Sequence, residues 1–448
     1  MSKKKIEIRL GKEQLITPGG LATVGALLNK TNLYRSVNKI PIAGKANPRI
    51  KNSDVIGAKI GLNAQGKNDY VSVNEFREEA EYYTTILGTS AIPSEEVMRQ
   101  RLDAISPAIT LTLEKSNAEL LKKANVIPSP CFGSFVPLDI DVTPFDNSNS
   151  KKEGVSWTYK GYMGYAPIMA YVGTEGYGTG AELREGSQHS QKGTGEFLKR
   201  VISSAKKVTN QKLLARMDSG FDSKENKGIF LDKNVDFIIK RNLRQEDVSA
   251  WLELAKKEAT MVKTPREGKT IYIGNTYRYH PDIDFDERIV YEVTLRTIKA
   301  DGQILLEPDI EVNTFSTTLF DEGDDAISND EVIWLYHDHA TSEQFHSEIK
   351  TDMDMERFPS GKFQTNAAIL LTGLIAYNIL RIMGQESLRK DDAPRKRPVQ
   401  RIRIKTVIQN LITIAVRVVH HARKVCLSLG RSNAWRHTYK RVHEVLSG

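Results

Sequence analysis

Cysteine is almost missing from this chain: its 448 residues hold two, Cys131 and Cys426, far apart and without metal-ligand spacing. That excludes a disulfide scaffold and a cysteine-based zinc finger, and it suits a reducing cytosol, so a cytoplasmic location is expected. Long apolar runs are missing too. Residues 364–380 (QTNAAILLTGLIAYNIL) form a 17-residue run without charge that contains Gln364, Asn366 and Asn378. A membrane span needs roughly 20 apolar residues, so a buried core helix is expected and no membrane contact. A second apolar stretch, around Ile408–Val419, is interrupted by Arg417. The opening MSKKKIEIRL turns charged again at once, unlike a signal peptide. Long low-complexity tracts are absent, and no glycine cluster ends in the Lys-Ser/Thr of a phosphate loop.

What is present is a chain long enough for two to four structural units, with a net charge of +8 that is unevenly spread. From Arg389 to Gly448 there are 15 Lys/Arg against 3 Asp/Glu, a balance of +12, which leaves −4 for everything before. A basic tail on a mildly acidic body is what binding to a phosphate backbone requires. Within that tail Pro394 and Pro398 bracket Arg395, Lys396 and Arg397, a hinge-like basic segment.

The periodicity divides the chain into an α/β arrangement. Residues 1–125 read as helical, with apolar spacing of helix type at Leu21–Leu28, Val55–Leu62, Asn74–Leu87 and Ser94–Ile105. Ser94 with Glu95 and Glu96 marks a capped helix start, and Arg99 and Arg101 on that helix are candidates for DNA contact. From residue 133 the period changes. Strands are expected at Phe135–Val142, Val155–Tyr159 and Pro167–Val172, among glycines (Gly173, Gly176, Gly178, Gly180) that read as hairpin turns. A helix (Gly195–Lys207), a strand (Lys212–Met217), a helix (Lys224–Leu231) and a strand (Val235–Lys240) follow. Three strands, helix, strand, helix, strand is the order of an RNase-H-like mixed sheet. The expected units are a helical region 1–125, a first core part 133–242, a β-rich insertion 243–330, a second core part 331–385 and a basic helical region 389–448. The second core part carries a long helix from Asn329 to about Lys350.

The chemistry lies in the carboxylates. In LDIDVT (138–143), Asp139 and Asp141 alternate with Leu138, Ile140 and Val142, so both acids share one face of an apolar strand. Acids there are costly unless paired or metal-bound, and periodicity does not choose between them. Asp218 ends the strand LLARM, where it could equally be a helix N-cap, although Asp222 is the expected cap. On the helix near YHDHATSEQFHSEIK, Tyr336, His339, Glu343 and Lys350 fall within about 60° of arc at a helical step, while Glu348 falls off that stripe. An aromatic ring, an imidazole, a carboxylate and an amine on one face suit phosphate and metal. Transesterification of DNA phosphates needs two hard divalent cations, held by carboxylate oxygens. A bundle di-iron site would need the Glu343-x-x-His346 motif twice, and it occurs once. A glycosidase using the paired acids of LDID is disfavoured, because side chains at i and i+2 of one strand do not flank a sugar from two sides.

These residues resemble the Y-x2-R-x3-E-x6-K signature of bacterial insertion-sequence DDE transposases. Tyr336, Glu343 and Lys350 match it, and His339 stands where the family has arginine. Asp141-Val142-Thr143 and Asp218–Phe221 resemble the other two acidic motifs. The gap of 125 residues from Asp218 to Glu343 suits the branch with a β-rich insertion. The likeness runs from LITPGG (15–20) through LREGSQ (183–188) to residues 358–380. It implies Asp141, Asp218 and Glu343 as catalytic metal ligands, two Mg²⁺ or Mn²⁺ ions, and cleavage and strand transfer of double-stranded DNA. It further implies action on terminal inverted repeats and target DNA, and a homodimer in the synaptic complex. Tyr336, His339 and Lys350 would hold phosphates, with Arg99, Arg101, Arg395, Lys396 and Arg397 as further DNA contacts. An inactive DNA-binding derivative, or another RNase-H-fold nuclease such as a junction resolvase, are the alternatives.

Overall fold

The computed structural model describes residues 6–42, 44, 47–323, 326–422 and 424–448; the first five residues of the charged opening lie outside them. Its centre is a nine-stranded mixed sheet. In chain order the strands are β1 (Phe135–Val142), β2 (Ile168–Val172), β3 (Tyr177–Glu182), β4 (Lys212–Met217), β5 (Asp236–Lys240), β6 (Met261–Arg266), β7 (Lys269–His280), β8 (Phe285–Ile298) and β9 (Ile304–Thr317). In space they run β6-β7-β8-β9-β5-β4-β1-β2-β3. β1, β4 and β5 are parallel neighbours, and β2 is antiparallel to both β1 and β3.

The period of two along β1 explains where its side chains go. Val136, Leu138 and Ile140 enter the larger apolar core, while Phe135 joins a second cluster with Leu214, Ile238, Phe315 and Leu335. Asp139 and Asp141 share the Phe135 face. The strands of residues 243–330 make no sheet of their own. β9 adds antiparallel to β5, with Phe315 opposite Lys240 and Thr317 opposite Ile238, so β6 to β9 prolong the central sheet.

Six helices matter for the site: α1 (Glu95–Lys123), α2 (Thr194–Ala205), α3 (Lys224–Asp232), α4 (Asn329–Asp338), α5 (Ser342–Ser347) and α6 (Phe363–Leu388). Ser94 caps α1 as expected, accepting from the Val97 N–H, but the helix runs through Pro107 far beyond Ile105. Among the described residues α6 alone is long and apolar enough to cross a membrane, and 94% of its apolar window is buried inside the protein. The amides noted in that run have structural work: Asn378 accepts the Gly178 N–H at 2.8 Å and donates to the Gly178 carbonyl and to Asn117.

Three expectations are corrected. The glycines after Gly176 do not make hairpin turns; they belong to β3, where a Cβ at Gly178 or Gly180 would run into Leu374 of α6 or Val201 of α2. The helix expected over 329–350 is interrupted by a 3-10 turn (His339–Thr341) and ends in a π turn (Glu348–Asp352). The basic C-terminal region is not simply helical. Val416–His421 and Lys424–Leu429 form a hairpin that pairs with Leu15–Ile16, because Val416, Val418, Val425 and Leu427 alternate with polar residues at strand period. The closing helix Arg436–Ser447 then packs on Leu21–Asn29, with the Tyr439 hydroxyl donating to the Gly19 carbonyl at 3.1 Å.

Candidate active site

β1 and β4 are in register with Ile140 opposite Met217. Asp141 is the next residue of β1 and Asp218 the first after β4, so two carboxylates leave neighbouring parallel strands at the same end. Asp218 also caps the 3-10 turn Ser219–Phe221, its Oδ1 accepting the Gly220 N–H at 2.9 Å. Asp222 is not the cap of α3; Ser223 is, while Asp222 pairs with Lys227 at 2.8 Å.

One step back along β1, Asp139 sits directly opposite Arg216 of β4. The guanidinium grips it at 2.6 and 2.8 Å and also donates, at 2.8 Å each, to the Leu335 carbonyl and Asp338 of α4. His339 completes the knot with its Nδ1 2.9 Å from Asp139 Oδ1. A carboxylate only accepts, so the proton lies on Nδ1. Burial alone would raise the Asp139 carboxyl; Arg216 and His339 outweigh it and hold it down to about 2. Asp139 is therefore fully engaged. It ties β1, β4 and the end of α4 together, and α5, which begins four residues beyond Asp338, carries Glu343 back over the strand ends.

Asp141 has the opposite surroundings. Its side chain is 27% exposed and accepts only the Val142 N–H, at 2.7 Å. Burial pushes its carboxyl up to about 6, and Asp218 and Glu343 push the same way, against His339 and the Val142 N–H. Two clefts meet at this residue. One, of about 390 Å³, is shared with Tyr159, Glu343, His346 and Lys350; the other, of about 590 Å³, with Trp157, Tyr159 and Asp218. Among the described residues no three acidic, imidazole or thiol side chains are gathered tightly enough to enclose a metal as they stand. The three acids face one cleft system without closing on one another.

The proposed stripe is only partly realised. Tyr336 packs against Phe315, and burial, then Asp218 and Asp141, raise its hydroxyl well above the ordinary value, so it stays a proton donor beside the acids. Lys350 donates to the Pro144 carbonyl at 2.8 Å and pairs with Glu356 at 3.0 Å at the rim of the cleft. His339 is corrected: it is 7% exposed and bound to Asp139, so it orients an acid and does not reach phosphate. His339 keeps the helical step from Tyr336, whose ring lies 6.1 Å away, but Asp139 occupies its Nδ1. Glu348, off the stripe, is buried behind the helix, where Arg381 and Arg401 hold it.

Two further neighbours of Asp141 are Tyr159, which the sequence did not single out, and His346, which entered only through the di-iron motif. The Tyr159 hydroxyl donates to the Val142 carbonyl at 3.2 Å, and burial and the three acids raise it above its usual value. His346 places Nε2 3.8 Å from Asp141 Oδ2, with Nδ1 3.2 Å from the Tyr171 hydroxyl. Burial holds that imidazole down to about 3, so it is neutral and forms no ion pair with Asp141. An i, i+3 relation to Glu343 was the available signal.

Over its whole length, residues 1–448, the chain matches the family described as Transposase DDE domain group 1. It belongs to that family. No curated protein matches it. Among solved structures it is similar to a piggyBac transposase synaptic complex with hairpin DNA, at 10% identity and a TM-score of 0.44, covering 89% of this chain and 80% of that one.

For a transposase, the cationic residues expected on DNA divide sharply. Arg101 is corrected: it is 6% exposed and donates at 2.7 Å to the Ile50 carbonyl and at 3.2 Å to Asn52, so it is a core residue. Arg99, two positions away on α1, faces outward, paired with Glu96 at 2.7 Å. Arg395 is half-buried with a loose contact to Asp391 at 3.9 Å, and Lys396 and Arg397 are exposed.

Proposed function

We propose that this chain is the DDE transposase of an insertion sequence, with an RNase-H-like core, and that Asp141, Asp218 and Glu343 are its catalytic acids. The core assignment is supported by the strand order β3-β2-β1-β4-β5 with β2 alone reversed. The observation that carries the catalytic reading is placement: Asp141 and Asp218 leave neighbouring parallel strands at the same end and line one cleft, and Glu343 lines the adjoining cleft with Asp141. A half-buried carboxylate with two like charges for neighbours is destabilised until a cation joins it. The donors are all carboxylate oxygens, which suits a hard divalent ion such as Mg²⁺ or Mn²⁺. The three acids would hold two such ions. When bound, they supply the positive charge that activates the attacking oxygen and stabilises the leaving one.

The chain's own residues do the rest. The Asp139–Arg216–His339 knot fixes the strand ends and the helix carrying Glu343, which keeps the ligands preorganised. Tyr336 donates a hydrogen bond, and Lys350 supplies charge, to phosphate oxygens. In the first step a water oxygen attacks the phosphorus at the element end and the bond to the 3′ oxygen breaks. The water loses a proton and the leaving oxygen gains one, giving a 3′-hydroxyl. In the second step that hydroxyl attacks a target phosphate and displaces another 3′ oxygen. Neither step requires a covalent bond to protein. The substrates are terminal inverted repeats and target DNA, gripped by the basic C-terminal region and the N-terminal helices of a homodimer in the bacterial cytosol.

The test is cleavage of a labelled duplex carrying the ends that flank the gene, with Mg²⁺. Glu343→Gln is expected to slow nicking by at least about 1,000-fold, equivalent to about 4 kcal/mol of barrier, with duplex affinity within about twofold. Retained nicking by this variant removes Glu343 from the site.

A further inference from the structure

One nitrogen of His346 is satisfied by nothing in the protein. The residue stands on α5 three positions after Glu343, so both side chains leave the same face of that helix. Its ring is 5% exposed, and among the described residues Nε2 finds no hydrogen-bond partner. Leaving such a buried atom bare is costly. Asp141 Oδ2 lies 3.8 Å from it, beyond hydrogen-bond reach.

The other nitrogen is held from β2. Nδ1 lies 3.2 Å from the Tyr171 hydroxyl, and the Tyr171 ring meets the imidazole edge-on at 5.3 Å. That hydroxyl donates to Met169 Sδ at 3.4 Å; on β2, Tyr171 stands opposite Asp139 and Met169 opposite Asp141. With its own proton on Met169, the Tyr171 oxygen accepts from Nδ1. A neutral ring that donates from Nδ1 carries a lone pair on Nε2. The lone pair and the Asp141 carboxylate then face each other as two acceptors with no proton between them. Among the described residues no lysine or arginine pairs with Asp141, and Glu343 makes neither a hydrogen bond nor an ion pair. Lys350 is engaged by the Pro144 carbonyl and Glu356. A cation is what this corner lacks.

We propose that His346 Nε2 is a metal ligand in addition to the three acids, sharing one divalent ion with Asp141 and Glu343. This rests on the reading of the acids as metal ligands. Two ligands each about 2.1 Å from one ion stand about 3–4 Å apart, and the separation of Nε2 from Asp141 Oδ2 falls in that range. Asp141 and His346 are the near pair, and Glu343 lines the same cleft of about 390 Å³. Tyr171 is the outer partner that sets the tautomer, as a hydrogen-bond acceptor commonly does behind a ligating imidazole. One nitrogen among oxygens favours transition ions over Mg²⁺. Mn²⁺ should therefore be held more tightly than Mg²⁺.

The test is pulsed electron paramagnetic resonance of the full chain with one equivalent of Mn²⁺, with and without the end duplex. The protein carries either natural or ¹⁵N-labelled histidine. A nitrogen coupling to Mn²⁺ that changes with the label is expected. It should vanish in Asp141→Asn, in His346→Gln, and in His346→Phe, which keeps a ring beside Tyr171; either His346 variant suffices if the other does not fold. Mn²⁺ affinity should fall at least about 10-fold in the His346 variants and about 10-fold in Tyr171→Phe, with Mg²⁺ affinity falling less. Mn²⁺ that binds through Asp141 but shows no histidine coupling overturns the inference and leaves the acids as ligands. A coupling that survives loss of His346 belongs to another histidine and also overturns it. If wild type binds no Mn²⁺ with or without duplex, the metal reading of the acids falls and the inference with it.

Discussion

Asp139 and Asp141 stand two residues apart on one face of one strand, and the fold uses them in opposite ways. Asp139 is enclosed, bound by a bidentate guanidinium and an imidazole, and held down to about 2. Asp141 lies at the strand end, where burial and then the neighbouring acids push it up to about 6. The first acid stabilises architecture; the second is destabilised in the protein alone. The difference comes from position along the strand. Two residues inward reaches Arg216, and two residues outward reaches the cleft.

The largest effect that sharpens this contrast is on chemistry. Asp141→Asn should lower cleavage by at least about 1,000-fold without lowering stability, measured by nicking rate and urea unfolding on the same preparation. Because the folded carboxyl lies above its unfolded value, its penalty is absent below about pH 4 and complete above about pH 6. The wild type should therefore lose stability relative to Asp141→Asn as pH rises through that window in EDTA. A fall in wild-type nicking below pH 6 should accompany it.

Next in size is architecture. Asp139→Ala leaves Arg216 buried without its main partner and should cost about 3–5 kcal/mol of unfolding free energy. Here the sign reverses: the depressed carboxyl stabilises the fold above about pH 4, and that contribution is lost as pH falls towards 2. Equal stability of Asp139→Ala and wild type at pH 7 would erase the distinction between the two acids. The smallest effect is remote from both. Neutralising Arg395, Lys396 and Arg397 together should weaken duplex binding and reduce the salt slope of its logarithm by about 2–3, with the nicking rate of bound duplex unchanged.

Much of this was legible in the sequence, for identifiable reasons. Alternation in LDIDVT put both acids on one face, and β4 and β5 read as short, continuous apolar runs typical of strands buried on both faces. Periodicity is silent on contacts between distant segments, so it did not show that Arg216 claims Asp139. It did not show either that His339 turns inward or that Arg101 reaches back to Ile50. β3 was hidden because Gly178 and Gly180 serve helix packing, which looks like turn composition. The C-terminal hairpin was hidden because its alternating valines are interspersed with cations that dominate the composition.

The central claim, that Asp141, Asp218 and Glu343 act together as a metal-dependent DNA-cutting centre, is tested most directly with one labelled end duplex. Nicking and joining would be scored with Mg²⁺, with EDTA, and for Asp218→Asn. Cutting at the element end is expected to require Mg²⁺ and to disappear in the variant while binding persists. Specific binding without cutting under any divalent metal, or cutting that survives Asp218→Asn, would contradict it.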